Sequence, residues 1–459
     1  MVRGLILGMI RRSWGSQVVG ALAALMVVSA PAAAQQQPRI SFIRDAEIEN
    51  TIRVYATPLF AAAGLDPSAI GVHLVNDRTL NAFVANGLNL FMNTGLLIRA
   101  RHPGQVIGVI AHETGHISGG HLARMREGMA GAMAEAIVAM VLGAVAGVAS
   151  GNAGAGMAVM SGGMQIAERG ILRYSREMES AADQAGVNLL ERTGQSARGM
   201  MEFLDILADQ ELMSVSRQDP YVRTHPITRE RVEFVRNFVS QARHTDAPVP
   251  AGIDEMHRRM RAKLLGYMEP ARALSTYKEN DPSLEARYAR AIAYSRRPDY
   301  GRALGLMDEL LRERPDDGYF MEAKAQMLLE AGRPVEAIPL YMQAVERLPN
   351  EPLLRTALGH AQVESGKPEL LQPAIANLER ARQQDPHYAE AWRLLAVAYG
   401  RNDQVGMAQL AQAENLSLRG RRGEARAFAE RAQRALPPNS PAWQRAEDIK
   451  NAYDPKEKK

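Results

Sequence analysis

The chain has 459 residues, 46% hydrophobic and 23% charged, which indicates a globular protein of two or three domains and excludes a disordered one. Its formal net charge is +4, and the absence of cysteine excludes disulfides and thiolate metal sites. A metal here would need histidine and carboxylate ligands, the donor set of catalytic sites more often than structural ones.

The first 34 residues carry Arg3, Arg11 and Arg12, an apolar run from Val18 to Val28, and small residues ending at Ala32-Ala33-Ala34. That is the order of a secretory signal peptide, with cleavage expected after Ala34. The alternative is an uncleaved anchor, disfavoured by the shortness of the apolar run. With no cysteine after the small residues, lipidation at this site is excluded. Removing the segment takes away three arginines and no acid, so the mature chain falls from +4 to +1. No basic surplus is left for nucleic acid, and the expected address is the bacterial periplasm.

Next comes "NAFVANGLNLFMNTGLL", two short apolar stretches around Asn86-Gly87, a dipeptide that tolerates the positive φ of a tight hairpin. Leu88, Leu90 and Met92 alternate with Asn89 and Phe91, so a strand follows the turn. Such a hairpin offers either an ordinary sheet edge or an edge to which an extended peptide pairs.

Residues 103 to 120 read as a helix containing "HETGH". His112 and His116 are four apart, so on a helix they lie about 40° apart on one face, a turn above each other. Both imidazoles then reach one ion. Glu113, rotated by about 100°, flanks that ion without being a ligand, where it can move a proton from water to a leaving amine. The five-residue pattern alone is only moderately specific, but the small apolar flank "GVIAH" suits a buried helix. His121 lies about 140° off the ligand face if the helix continues, and reads as structural; Gly119-Gly120 interrupts that projection.

Residues 129 to 164 are crowded with Gly, Ala and Met, including seven methionines between Met125 and Met164. The apolar section from Ala136 to Ser150 is 15 residues, short of the ~20 that span a bilayer. A helical hairpin is expected, with a Met-rich surface facing substrate, a membrane interface or simply its own core.

Downstream, "SREMESAADQAG" places Glu179 and Asp183 one helical turn apart. Glu179 is the candidate third ligand and Asp183 the acceptor for the free N–H of one imidazole. Glu177 offers a competing carboxylate.

"SQARHTDAPVPAG" marks a domain boundary. Beyond it, Pro315 and Pro349, Ala303 and Ala337, and Ala291 and Ala325 are each 34 residues apart. Ala374 and Pro386 follow their counterparts by 37, which implies a three-residue insertion in "GKPELLQPA". This period, with small residues inside and a terminal proline, resembles the tetratricopeptide repeat. Pro437, 51 beyond Pro386, makes the last repeat irregular.

"HETGH" followed by "ESAAD", with "NAFVANG" before and "THPITRERV" after, resembles the HtpX-like and CAAX-prenyl-protease-like zinc metallopeptidases, which are gluzincins. The resemblance covers about residues 45 to 240. It implies one zinc per chain, His112, His116 and Glu179 as ligands, and Glu113 as base. His225 matches a family histidine, either contacting the tetrahedral intermediate or ligating zinc in a closed resting state. Arg231 receives no role beyond support of that loop. The membrane-embedded relatives have spanning helices that this chain lacks past its leader, so a soluble or peripherally attached enzyme is expected.

The expected architecture is therefore a signal peptide at 1–34, an α-rich α+β gluzincin metallopeptidase domain at 35–250, and an all-α tetratricopeptide-repeat solenoid at 251–455. With leader and repeats added, the chain is similar to periplasmic proteases of outer-membrane protein quality control. That implies unfolded or misassembled proteins as substrates, outer-membrane β-barrel proteins among them, and contact with the barrel assembly machinery through the repeats. A chaperone or assembly scaffold with little proteolysis is the competing function, and a peptidoglycan or small-peptide hydrolase a weaker third.

Overall fold

The computed structural model describes residues 41–85, 87–125, 127, 175–211, 221 and 225–453. The expected leader and the Met-rich hairpin at 129–164 lie outside the described residues.

A four-stranded sheet and a set of helices form the first half. The strands are β1 (Phe42–Ile43), β2 (Gly71–Val75), β3 (Ala82–Ala85) and β4 (Asn89–Asn93), in the order β1-β2-β4-β3. β2 and β4 are parallel, while the other two pairs are antiparallel. The predicted hairpin is β3–β4, but Ala85 pairs with Asn89, so three residues make the turn and Leu88 sits in it, exposed. Gly87 takes φ +86°, which is why the turn carries glycine. Strand alternation puts Val72, Leu74, Val84, Leu90 and Met92 into the core and His73, Phe83 and Phe91 on the other face.

Helix α1 (Ala46–Ala62) starts where Asp45 accepts from the Ile48 backbone N–H at 2.9 Å, and Glu47 and Glu49 complement the helix dipole in its first turn. It buries Ile48, Ile52, Tyr55, Leu59 and Phe60, each such aliphatic side chain worth about 1.5–3 kcal/mol. After the short α2 (Thr94–Arg99) comes α3 (Pro103–Ser118), which begins on a proline that needs no N–H partner. Residues 175–192 form α4, followed by α5 (Arg198–Glu211) and α6 (Arg229–Gln241).

The polar stretch lies between α6 and α7 (Ile253–Met268). The core does not break there. Met260, Leu264 and Leu265 of α7 belong to the same apolar cluster as the sheet, and His257 Nε2–H donates to the Ala100 carbonyl at 3.0 Å. After α8 (Pro270–Thr276), five antiparallel pairs follow: α9 (Leu284–Ser295) with α10 (Tyr300–Glu313), α11 (Gly318–Glu330) with α12 (Pro334–Arg347), α13 (Pro352–Glu364) with α14 (Leu371–Gln384), α15 (Ala389–Arg401) with α16 (Val405–Leu418), and α17 (Arg422–Ala435) with α18 (Pro441–Ala452). The first helices of the pairs begin at 284, 318 and 352, at the 34-residue period. The three-residue insertion is a 3₁₀ turn at Pro368–Leu370. Pro315, Pro349 and Pro386 follow the ends of second helices, whereas Pro437 follows a first helix, α17, which accounts for its irregular spacing. No described helix is long and apolar enough to cross a membrane.

The two halves are joined by buried charges. Glu47 accepts from Arg259 Nε and from the Tyr288 hydroxyl, both at 2.8 Å, and lies 3.4 Å from Lys263 Nζ. Arg259 also pairs with Asp317, and Lys263 with Asp45 at 2.8 Å. Ala46, at the head of α1, packs in an apolar cluster otherwise built from α11, α12 and α13. Removing one member of such a cluster leaves its partners charged and buried. Glu47→Ala should destabilise the chain by about 3–5 kcal/mol in urea unfolding, whereas breaking the exposed Arg229–Glu233 pair should cost less than about 1 kcal/mol.

Candidate metal centre

Helix α3 presents His112 and His116 on one face, as its periodicity requires. Helix α4 approaches it closely because each helix sets a glycine against the other's backbone: a Cβ on Gly115 would lie 2.7 Å from the Ala182 carbonyl oxygen, and one on Gly186 would lie 3.2 Å from the Ala111 carbonyl carbon. That approach brings Glu179 to the histidines and leaves Glu177 exposed. The loop before α6 brings His225. His112, Glu113, His116, Glu179, Asp183, His225 and Arg231 are all buried.

Four ligand atoms converge. His112 Nε2 is 3.1 Å from His116 Nε2, 3.4 Å from His225 Nδ1 and 3.4 Å from a Glu179 oxygen. Glu179 is 3.3 Å from His116 Nε2 and 3.1 Å from His225 Nδ1. A tetrahedron with metal–ligand bonds of ~2.0–2.1 Å has edges of ~3.3–3.4 Å, and these five spacings lie near that, with the whole group within 4.8 Å. His112, His116, Glu179 and His225 form the group that could hold a metal among the described residues. Beside it, both carboxylate oxygens of Glu113 are buried with no hydrogen-bond partner among the described residues, and His225 Nε2 is 3.6 Å from one of them. A buried carboxylate left open next to a ligand set has room for a water, and the donors fit a divalent ion.

Asp183 lies beside His112. Its Oδ1 accepts from His112 Nδ1–H at 2.8 Å, which fixes the tautomer and turns Nε2 toward the ligand cluster. Three residues that the sequence reading left without a role also belong here. Arg231 donates to Asp183 through Nε and Nη2 at 2.6 and 2.9 Å, pairs with Glu179 at 3.0 Å, and donates to the Pro226 carbonyl at 2.8 Å. Its place in the first turn of α6, capped by Thr228, was the available signal. Tyr221 stacks on His225 with ring centroids 4.4 Å apart. His121 lies against His116, Nδ1 to Nδ1 at 3.0 Å, because α3 ends at Ser118 and Gly120, at φ +63°, turns the chain before helix resumes. Projecting a continuous helix put it on the wrong side.

Electrostatics follow the burial. Desolvation raises the pKa of Glu113 and lowers that of His116 to about 3. Burial also opposes a charge on His112, but its hydrogen bonds to Asp183 and Glu179 outweigh that and push it up to about 10. Burial likewise opposes the charge on Glu179, and the His225 charge with the imidazole hydrogen bonds holds it well below the ordinary carboxylate range. For Asp183, burial is outweighed by the hydrogen bonds from Arg231 and His112.

Residues 43–239 match the model of peptidase family M48. This part of the chain is similar to that family. The beta-barrel assembly-enhancing protease of Yersinia pestis is 27% identical over 398 residues, covering 84% of this chain and 79% of the relative. The protein of the same name from Escherichia coli strain K12 is 27% identical over 368 residues, covering 77% and 72%. A solved structure titled as YrrB, a TPR protein with an unusual peptide-binding site, covers 38% of this chain and 91% of its own at 22% identity; its TM-score of 0.32 is too low to bear on the repeats. The chain is a zinc metalloendopeptidase with a helical repeat region after its catalytic part, similar to the family read from its motifs.

Without metal, His112 keeps a proton at neutral pH that it must lose to become a ligand. Zinc binding at pH 7.5 should therefore release about one proton, and affinity should rise with pH up to about 10, read by calorimetry in buffers of different ionisation enthalpy. Asp183→Asn should weaken zinc affinity about 10–100-fold in a chelator competition while helicity is retained.

Proposed function

We propose that this chain is a periplasmic zinc endopeptidase that cleaves unfolded or misassembled proteins, those of outer-membrane β-barrels in particular. One zinc is held by His112, His116 and Glu179, and Glu113 is the general base. The observation that carries this is the tetrahedral spacing of the ligand atoms beside the open carboxylate of Glu113. The names of the relatives support the client class. Residues 1–34 serve as the export signal, 35–250 as the catalytic domain and 251–455 as the repeat domain that recruits clients and the assembly machinery.

A bound divalent ion polarises the scissile carbonyl and acidifies the attacking water. Glu113 takes the proton from that water and passes it to the leaving amine, a task that its raised pKa suits. Asp183 and Arg231 hold His112 in the tautomer that keeps Nε2 free. His225 completes a four-ligand set that leaves no position for water, so the resting enzyme is latent and His225 must withdraw for turnover. That closed set also favours a second reading, in which the repeats act as a scaffold and proteolysis is rare.

The test is cleavage of an unfolded β-barrel protein by zinc-loaded chain lacking residues 1–34. Glu113→Gln should lower the rate about 10²–10⁴-fold with zinc content unchanged. His225→Ala should raise it. A fall with His225→Ala would make that histidine a transition-state contact, and no cleavage by any variant would leave the scaffold reading.

A further inference from the structure

The sheet has a second face that the site description does not use. His73 on β2, Phe91 on β4 and Phe83 on β3 lie opposite one another in register. Phe83 and Phe91 stack with centroids 4.9 Å apart and planes at 10°, and Phe91 and His73 stack at 4.8 Å and 21°. Phe42 joins from β1 at 6.1 Å from Phe91, with 51% of its surface exposed. His73 Nε2–H is held by the Asn89 side-chain oxygen at 2.8 Å, which sets the ring's orientation in the row. The three stacked rings are half-buried. The row crosses all four strands and ends on β3, the sheet edge.

The hydrogen-bond phase of β3 decides what that edge offers. The Asn93 N–H donates to the Asn81 carbonyl at 3.0 Å, so Asn81/Asn93, Phe83/Phe91 and Ala85/Asn89 are the hydrogen-bonded pairs. Ala82 and Val84 consequently turn their backbone groups away from the sheet. β3 packs against α3, the helix that carries Glu113, so this edge lies beside the site. A strand added antiparallel to this edge would bond through Ala82 and Val84. Its residue opposite Phe83 would then fall in a non-hydrogen-bonded pair, where Cα atoms lie ~4.5 Å apart and side chains approach most closely. Client residues on either side of that one would point to the core face, toward α3.

We propose that Phe83, backed by Phe91 and His73, selects client segments that lie along the β3 edge and carry an aromatic residue on the open face. This rests on the endopeptidase reading and names the substrate chemistry of that same site. The favoured client is an unfolded polypeptide whose aromatic or large apolar residues recur at every second position, the pattern of a membrane β-barrel strand. A charged residue opposite Phe83 would lose hydration against a ring row that offers it no counter-ion, so selection has a repulsive side as well.

The test uses two peptide series that share one backbone sequence and carry Phe or Ser at alternate positions. They are assayed with zinc-loaded wild type, Phe83→Ala and Phe83→Tyr for kcat/KM. They are also assayed for binding to the Glu113→Gln chain, with and without Phe83→Ala, by fluorescence anisotropy. Wild type should prefer the Phe series about three- to ten-fold, as a stacked aromatic pair implies. The preference should collapse toward unity in Phe83→Ala, by loss on the Phe series alone, and return in Phe83→Tyr. Equal treatment of the two series by wild type, or a preference untouched by Phe83→Ala, overturns the proposal. If wild type cleaves neither series nor any unfolded protein, the endopeptidase reading fails; the anisotropy ratio then still decides whether the edge selects aromatic strands.

Discussion

The structure turns on Arg231, whose guanidinium lies among buried acids. Glu113, Glu179 and Asp183 are gathered in one low-dielectric pocket, and three carboxylates there would repel one another strongly if left unbalanced. Arg231 engages two of them and ties the loop after His225 through the Pro226 carbonyl. Glu113 is left out of this arrangement, so burial raises its pKa while its two neighbours are held down. The same fold element thereby produces acids of opposite character, which is the condition for assigning one to proton transfer and the others to holding the site.

What could be read from the sequence was whatever depends on local period. The two histidines of α3 share a face because helix geometry fixes positions four apart. The 34-residue repeat survives because each helical pair must present small residues to its neighbour. Glu179 and Asp183 were legible as a pair, but choosing Glu179 over Glu177 needed either the family resemblance or the sight of α4 against α3. Arg231 and Tyr221 were not legible, since nothing local states that the first turn of α6 will meet a carboxylate 48 residues earlier in the chain. His121 was misplaced because a single left-handed glycine redirects everything after it.

The boundary between the halves shows the same limit. Proline, glycine and polar residues lie between α6 and α7, yet α7 beyond them packs into the apolar cluster of the sheet. Conversely, the head of α1 reaches into the repeats through Ala46 and Glu47. Turn signals report where the chain changes direction, not which core the next element will join.

That interlock bears on how a repeat domain can influence a distant peptide bond. α1 has its first turn among Arg259, Lys263 and Tyr288 and its apolar face in the core that carries α3 and the sheet. A buried ion cluster tolerates little displacement of its members, because separating any pair in low dielectric costs several kcal/mol. Movement of the repeats is therefore transmitted to α1 as a rigid unit, and the sheet edge and α3 both rest on the core that α1 helps to form. His225 reaches the site from the loop before α6. It is seated on Tyr221 by stacking and fixed at Pro226 by one donor from Arg231, so its departure disturbs fewer charges than any shift of Glu179 or Asp183 would.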